Sequence, residues 1–329
     1  MSRKKVILRA DAGKSIGYGH FIRTLALAGY LKEDFDCIFC TFNPSEFSPT
    51  QYQLEEIAKV CKYHHIPAKS HEEYNQKFID TLSGDEIVVL DNYYFQTDYQ
   101  KQVRDKGCRL VCVDDMHDRH MVADLVLTGC PLQESDFSLE PYTRFCGGIN
   151  HSFLREEFLN VPTRKELVDS PKNIVVAIGG ADPYCLTRKI IDIVRDIDKR
   201  LNIAVIAGDA VDINGIYDDN ANIYRRLSAK VMVDLFLWAD MGILSASTIC
   251  IEALACHLPV AAGWYVDNQE EFYKYGISER LFMPLGNLLM DRDSLRESII
   301  NAINSPHINT PTINFVSGKR DIIRLFKTL

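Results

Sequence analysis

Residues 173–182 read NIVVAIGGAD, five apolar residues from Ile174 to Ile178 followed by two glycines, an alanine and an acid. An uninterrupted apolar run of this length, without alternation, is a strand buried on both faces. The glycines after it turn the chain into the next element, a helix expected from about Tyr184. The same order opens the chain. Lys4–Arg9 is a short β-branched and apolar run, the loop 11–19 (DAGKSIGYG) carries three glycines, and from His20 to Leu31 the residues Phe21, Leu25, Ala28 and Leu31 recur at helical spacing. Between these two openings, Glu86–Leu90 (EIVVL) and Arg109–Val113 (RLVCV) are further buried strands, with polar helical stretches over 54–63 and 98–106. Alternating buried strands and amphipathic helices make a parallel sheet covered on both faces. Because the pattern restarts at Asn173, the expected fold is α/β with two Rossmann-like parallel-sheet domains and a cleft between them. The expected domains are 1–160 and 173–318, joined by the polar segment NVPTRKELVDSPK (160–172), with a C-terminal helix over 319–329.

Composition agrees with two folded domains. The 329 residues are 47% hydrophobic and 25% charged, which excludes a disordered chain. The net charge is -8, and the lysines and arginines are mixed with acids rather than clustered, so no nucleic-acid partner is expected. No apolar run approaches the ~18 residues of a membrane span. Met1–Lys5 is basic, but the run Val6–Leu8 is too short for a signal peptide. The ten cysteines lie scattered in apolar segments; even the CIFC pair, Cys37 and Cys40, sits in a strand-like run, so buried thiols in a reducing cytoplasm are expected. The expected state is a monomer or weak homodimer.

Ligands of parallel sheets bind at the carboxyl ends of the strands, so the loops after strands carry the candidates. The Gly13-Lys14-Ser15 triplet invites a phosphate-loop reading, but that motif needs a glycine where Leu8 stands. Gly17 and Gly19 resemble part of a dinucleotide fingerprint whose third glycine falls on Ile22. What remains is a glycine-lined turn that lets a ligand approach the backbone and sets His20 at a helix start. In the second half, Gly179 and Gly180 either expose N–H groups to a phosphate or form a plain turn. Ser245-Ala246-Ser247-Thr248 opens a helix, and Glu252 lies one turn past Thr248; this suits a diphosphate and a ribose, or an ordinary N-cap. The stretch Asp114–His120 (DDMHDRH) has metal-ligand residue types without specific spacing, and no metal is assigned to it.

Taken together, these loops resemble one family: the nucleotide-sugar hydrolase that removes UDP from 2,4-diacetamido-2,4,6-trideoxy-β-L-altropyranose in pseudaminic acid biosynthesis, with spore-coat polysaccharide proteins and, more distantly, the GT-B glycosyltransferase that makes lipid II as relatives. The matching residues are Arg9-Ala10-Asp11, Ile16-Gly17-Tyr18-Gly19-His20, Arg23, Asp91, Tyr93, Asp114-Asp115, Leu154–Phe158 (LREEF), Gly179–Asp182, Ser247-Thr248, Glu252-Ala253, Asn268-Gln269 and Gly318-Lys319-Arg320. The resemblance implies a GT-B-like fold and a UDP-sugar substrate. It implies His20 as the base that activates water, and Asp11, Gly17, Tyr18, Gly19, Arg23, Tyr93, Asp115, Asn268 and Gln269 around the substrate. Gly179, Gly180, Ser247, Thr248 and Glu252 would hold the nucleotide. The chain departs from the family at Asn92, His151 and Thr128-Gly129-Cys130, positions that bear on the sugar more than on the nucleotide. UDP is already a good leaving group, so an oriented water, a base and phosphate donors suffice and no cofactor is expected. A glycosyltransferase using the same base, and a binding protein without turnover, are the alternatives.

Overall fold

In the computed structural model every strand of the two large sheets runs parallel to its neighbours. The structure describes residues 3–13, 16–162, 168–179, 182–208, 211, 221–305 and 313–329. The chain divides into two compact units, one built from residues 1–156 with 314–329, the other from 157–313.

The first unit runs β1 (Lys5–Arg9), α1 (Gly19–Leu31), β2 (Asp36–Cys40), α2 (Gln51–Val60), β3 (Lys62–Tyr63), α3 (His71–Asp80), β4 (Ile87–Leu90), α4 (Thr97–Asp105), β5 (Arg109–Val113), β6 (His120–Met121), β7 (Leu125–Leu127), β8 (Ser138–Leu139), β9 (Arg144–Cys146) and α5 (Glu156–Leu159), which leads into the second unit. Its seven-stranded sheet has the order β3-β2-β1-β4-β5-β7-β9, and β6 pairs with β8 apart from it. One side of this sheet is filled by Ile7, Val88, Leu90, Leu110 and Val126 against Tyr74, Phe78 and Ile79 of α3, a helix the sequence reading passed over. Each such side chain contributes about 1.5–3 kcal/mol by leaving water. Helix α2 starts three residues earlier than expected because Thr50 and Gln53 form a capping box, and the expected helical residues 62–63 are an edge strand.

The second unit runs β10 (Asn173–Ala177), α6 (Leu186–Ile197), β11 (Asn202–Ile206), β12 (Ala221–Tyr224), α7 (Ala229–Trp238), β13 (Met241–Ser245), α8 (Thr248–Ala255), β14 (Val260–Trp264), α9 (Asp267–Ser278), β15 (Met283–Asn287) and α10 (Arg292–Asn304). Its sheet order is β12-β11-β10-β13-β14-β15. Ile174, Val176, Ile203, Val205 and Ile243 pack against Ile190, Ile193 and Val194 of α6 and Leu295 and Ile299 of α10.

The final helix α11 (Phe315–Lys327) belongs to the first unit, so residues 314–318, expected with the second domain, open a helix that packs elsewhere. Two of the motifs quoted above meet here. A Cβ on Gly318 would lie 1.8 Å from the Asn150 carbonyl oxygen, so only glycine permits the contact. Lys319 pairs with Glu156 at 2.5 Å and lies over the Tyr30 ring, whose hydroxyl accepts from the Leu154 N–H at 2.8 Å. All ten cysteines are free thiols; Cys37 and Cys40 are buried in β2, and Cys185 is exposed.

Candidate active site

In the first sheet the chain moves from β1 outward to β2 and β3, then crosses back to lay β4 on the other side of β1. The loops after β1 and β4 therefore part company, and a crevice opens between them at the strand ends. The loop after β1 is shaped by its glycines. Gly13 and Gly17 exchange two backbone hydrogen bonds of 3.2 and 2.8 Å, and Gly17 has φ +74°, a left-handed conformation that strains other residues. Tyr18 then stands at the N-cap of α1 without a side-chain cap, and the first turn holds no acid. Among the described residues, a Cβ on Gly17 or Gly19 would meet nothing within 4 Å.

His20, Arg23 and Thr24 project from the first turns of α1 onto Asp91, the residue that follows β4. The Asp91 carboxylate is fully buried and accepts four hydrogen bonds. Oδ1 accepts from His20 Nδ1 at 2.7 Å and Arg23 Nη2 at 2.6 Å; Oδ2 accepts from Arg23 Nε at 2.7 Å and Thr24 Oγ1 at 2.6 Å. Burial alone would push this carboxyl up, but the Arg23 charge, His20 and their hydrogen bonds outweigh it and hold it well below the usual carboxylate range. Because Asp91 is ionised, a bare Nδ1 lone pair at 2.7 Å would repel it, so the imidazole carries its proton on Nδ1. Arg23 Nη2, 3.1 Å from the same nitrogen, is itself only a donor and is directed to Asp91. With the proton on Nδ1, Nε2 is the acceptor in the neutral form of the ring, and among the described residues no hydrogen-bond partner reaches it. Asp91 and Thr24 complete this group; Asp91, a buried strand's closing acid, was among the matching residues but had no role assigned, and Thr24 was not singled out.

Arg23 continues to Asp115 after β5, Nη1 to Oδ2 at 2.8 Å. Tyr93 is 36% exposed, and its ring meets the His20 ring in a T shape, centroids 4.5 Å apart at 83°. Four expected residues, His20, Arg23, Tyr93 and Asp115, are therefore brought together. Tyr18 and Gly19 border them at the start of α1, Tyr18 resting its ring on Tyr52.

Asp11 is a correction. It is fully buried, and its oxygens are taken by Arg9 (Nη2 at 2.8 Å), the Phe42 N–H (2.8 Å) and the Tyr94 hydroxyl. The Arg9 guanidinium lies between the rings of Tyr74, Phe78 and Phe95, 4.3–5.2 Å from their centroids. Asp11 holds the loop in place rather than facing a ligand. Burial would raise its carboxyl, but the Arg9 charge, with the nearby His71 ring and hydrogen bonds from Arg9 and Tyr94, brings it down to about 2. Asn92, one of the departures from the family, accepts from the Asp11 N–H at 2.7 Å. His151 Nδ1 donates to the Gly147 carbonyl oxygen, 2.7 Å away, beside α11. In the 114–120 stretch, Asp114 accepts from the backbone N–H groups of Met116 and His117 at 2.9 and 2.8 Å, a turn device rather than a ligand set.

The second sheet has the same reversal, between β10 and β13. Gly179, after β10, has φ +127°, and a Cβ there would lie 3.0 Å from the Tyr265 hydroxyl. Gly180 lies outside the described residues. Asp182 caps α6, accepting from the N–H groups of Leu186 and Thr187 at 2.7 and 2.8 Å. Ser247 is the N-cap residue of α8, yet its side chain makes no cap; it turns to the Ser245 hydroxyl at 3.2 Å. Thr248 is exposed beside it, and Glu252 follows one turn along the same helix. After β14, Asn268 is exposed in the first turn of α9, while the Gln269 side-chain oxygen accepts from the Tyr265 N–H at 3.2 Å. Gly179, Ser247, Thr248, Asn268 and Gln269 are thus gathered at the ends of three adjacent strands.

No family model matches the chain. It is similar to an uncharacterized protein of Methanocaldococcus jannaschii, 26% identical over 290 residues, which cover 82% of this chain and 57% of that protein; the chain spans little more than half of that relative's length. It is 24% identical over 274 residues to the UDP-2,4-diacetamido-2,4,6-trideoxy-beta-L-altropyranose hydrolase of Campylobacter jejuni subsp. jejuni, covering 81% of this chain and 93% of that protein. Among solved structures, MurG of Acinetobacter baumannii matches with a TM-score of 0.63 at 14% identity, over 99% of this chain and 100% of that one. MnaA of S. aureus, solved with UDP, matches with a TM-score of 0.63 at 11% identity, over 99% and 96%. The chain therefore has the GT-B type of fold, two parallel-sheet α/β units, and in sequence it resembles the UDP-diacetamido-trideoxy-altropyranose hydrolase.

Proposed function

We propose that this protein hydrolyses a UDP-linked diacetamido-trideoxy sugar at its anomeric carbon, with His20 as general base. The observation that carries the reading is the 2.7 Å contact between His20 Nδ1 and the buried Asp91 carboxylate. It fixes the tautomer in which Nε2 can accept a proton, and it stabilises the imidazolium that results. Nε2 takes a proton from water as the water oxygen bonds to C1; the C1–O bond breaks, and its electron pair leaves with UDP. Attack from the face opposite the leaving group inverts the anomeric centre. A positioned base of this kind contributes on the order of 10²–10⁴ in rate. Arg23 and Thr24 keep Asp91 ionised and in place.

The nucleotide is assigned to the second unit. The N–H groups at the start of α8, with Ser247 and Thr248, suit the diphosphate, and Glu252 suits the ribose hydroxyls. Similarity to the Campylobacter hydrolase supports the choice of substrate.

The test is incubation of the purified protein with the UDP-sugar and no acceptor in ¹⁸O-water, followed by NMR and mass spectrometry. The expected products are UDP without label and the free sugar carrying ¹⁸O at C1, first seen as the inverted anomer. UDP release only after an alcohol acceptor is added would make the protein a glycosyltransferase. Binding of UDP with no turnover under either condition would make it a binding protein, and label in the phosphate would overturn the C–O cleavage.

A further inference from the structure

The turn between β5 and β6 grips the His20 group from two sides. One side is Asp115, which reaches Arg23 and through it Asp91. The other is Arg119, a residue that neither the sequence reading nor the proposed chemistry uses. Its side chain is 95% buried. Asp118 holds it at 2.7 Å from Nε and 2.6 Å from Nη2, and Asp114 lies 3.8 Å from Nη2. Asp114 in turn is fixed by the N–H groups of Met116 and His117. So anchored, Arg119 donates from Nη1 to the main-chain carbonyl oxygen of Tyr93. Gln96 reaches the same oxygen at 3.1 Å from the exposed side. The ring of Tyr93 is the one that meets His20 in a T shape.

A buried guanidinium is costly to desolvate unless it is paired, and a charge-assisted bond to a carbonyl is stronger and more directional than a neutral one. The carbonyl belongs to the residue two past Asp91, in the short loop that supplies both the partner of Nδ1 and the ring that limits rotation of the imidazole. We propose that Arg119 is a positioning residue for His20: it fixes the Asn92–Tyr94 backbone so that the Tyr93 ring holds the imidazole in the orientation that Asp91 requires. The proposal rests on the reading of His20 as the base, and its test is chosen to survive failure of that reading.

The experiment labels histidine with ¹³C and ¹⁵N and follows the His20 ring protons, assigned by their loss in His20→Gln. The variants are Arg119→Met, Arg119→Lys, Tyr93→Leu and the Arg119→Met/Tyr93→Leu double variant. Arg119→Met is expected to move the His20 signals in the direction of their positions in Tyr93→Leu. Arg119→Lys is expected to move them less, and the double variant no further than Tyr93→Leu alone, because the two changes act along one path. In turnover of the UDP-sugar, Arg119→Met is expected to lower kcat about tenfold with KM within about twofold, with part of the loss restored in Arg119→Lys. His20 signals at wild-type positions in a folded Arg119→Met protein would overturn the proposal, as would multiplying effects of Arg119→Met and Tyr93→Leu on kcat. If Arg119→Met does not fold, Arg119→Lys decides: a shift in the same direction supports the proposal and no shift overturns it. Wild-type protein that turns over no UDP-sugar would sink the hydrolase reading alone, since the ring signals report on Arg119 without substrate.

Discussion

Two buried aspartates follow adjacent strands of the first sheet, and they have opposite outcomes. Asp11, two residues past β1, and Asp91, directly past β4, are both fully buried, both paired with an arginine and both held as carboxylates against the pull of burial. Around Asp11 the hydrogen bonds come from groups with no further role: Arg9 is walled in by aromatic rings, the Phe42 N–H and Tyr94 hydroxyl bind its oxygens, and the part-exposed His71 stands farther off, Nε2 3.5 Å from Oδ2. Around Asp91 the fourth donor is an imidazole whose second nitrogen has no partner among the described residues. Burial and a displaced pKa are therefore shared by a brace and by a candidate catalytic group, and neither property separates them. What separates them is an imidazole bonded directly to the carboxylate, 2.7 Å away at Asp91 against 3.5 Å at Asp11.

The contrast can be broken most directly by exchanging the effects. His20→Gln and Asp91→Asn are expected to lower turnover of the UDP-sugar by about 10²–10⁴ while His20→Gln leaves UDP affinity, read by calorimetry, within about twofold. Equal turnover in His20→Gln would place Asp91 in the same class as Asp11. Asp11→Ala should act on folding instead, costing about 3–5 kcal/mol in urea denaturation because Arg9 is left buried and unpaired. A stable Asp11→Ala protein with low turnover would reverse the assignment made here.

A smaller effect comes from acid. A carboxyl depressed in the folded state contributes stability that is fully present above its unfolded value near 4 and is lost as pH falls through the folded value. For Asp11 that window runs from near 4 down to about 2, and Asp91 adds to it in the same direction. Urea midpoints should therefore drop below pH 4 by an amount worth about 2 kcal/mol for Asp11, with Asp91 adding in the same direction, and the drop should be shallower in Asp11→Asn. An identical slope in that variant would remove the brace from the account. The smallest effect concerns the loop that joins the two regions. Gly17→Ala should cost about 1–2 kcal/mol, since its φ is +74°, while Gly19→Ala, whose added Cβ would meet none of the described residues, should change stability by less than about 0.5 kcal/mol. Equal costs at the two positions would mean that the left-handed turn does not set the start of α1.

The two sheets were legible in the sequence because their strands are unbroken apolar runs, and the restart at Asn173 identified the second of them. His20 and Asp115 were legible in the loops after strands, where a parallel sheet exposes its ligand-binding ends, while Arg23 and Tyr93 entered only with the family resemblance. The hub that joins them was not, because Asp91 and His20 lie 71 residues apart and only the crossing from β3 back to β4 makes them neighbours. Asp11 misled for a related reason: its partner Arg9 is walled in by Tyr74 and Phe78 on α3, and those two at i and i+4 are a short signal inside a polar stretch. Strands as short as Arg144–Cys146 carry too few residues to show a period at all. Gly318 looked like part of a closing motif, but its reason, the Asn150 carbonyl pressed against its α-carbon, belongs to tertiary contact alone.

That same contact has a bearing on how the protein comes off the ribosome. Helix α11, which completes the first unit, is encoded after the whole of the second. At translation speeds of about 5–20 residues per second, residues 157–313 take roughly 8–30 s to emerge. During that interval the face that receives Gly318 and Lys319 waits uncovered on the nascent chain, a ready target for holdase chaperones, and chains stalled before residue 314 would carry that face as a mark for disposal.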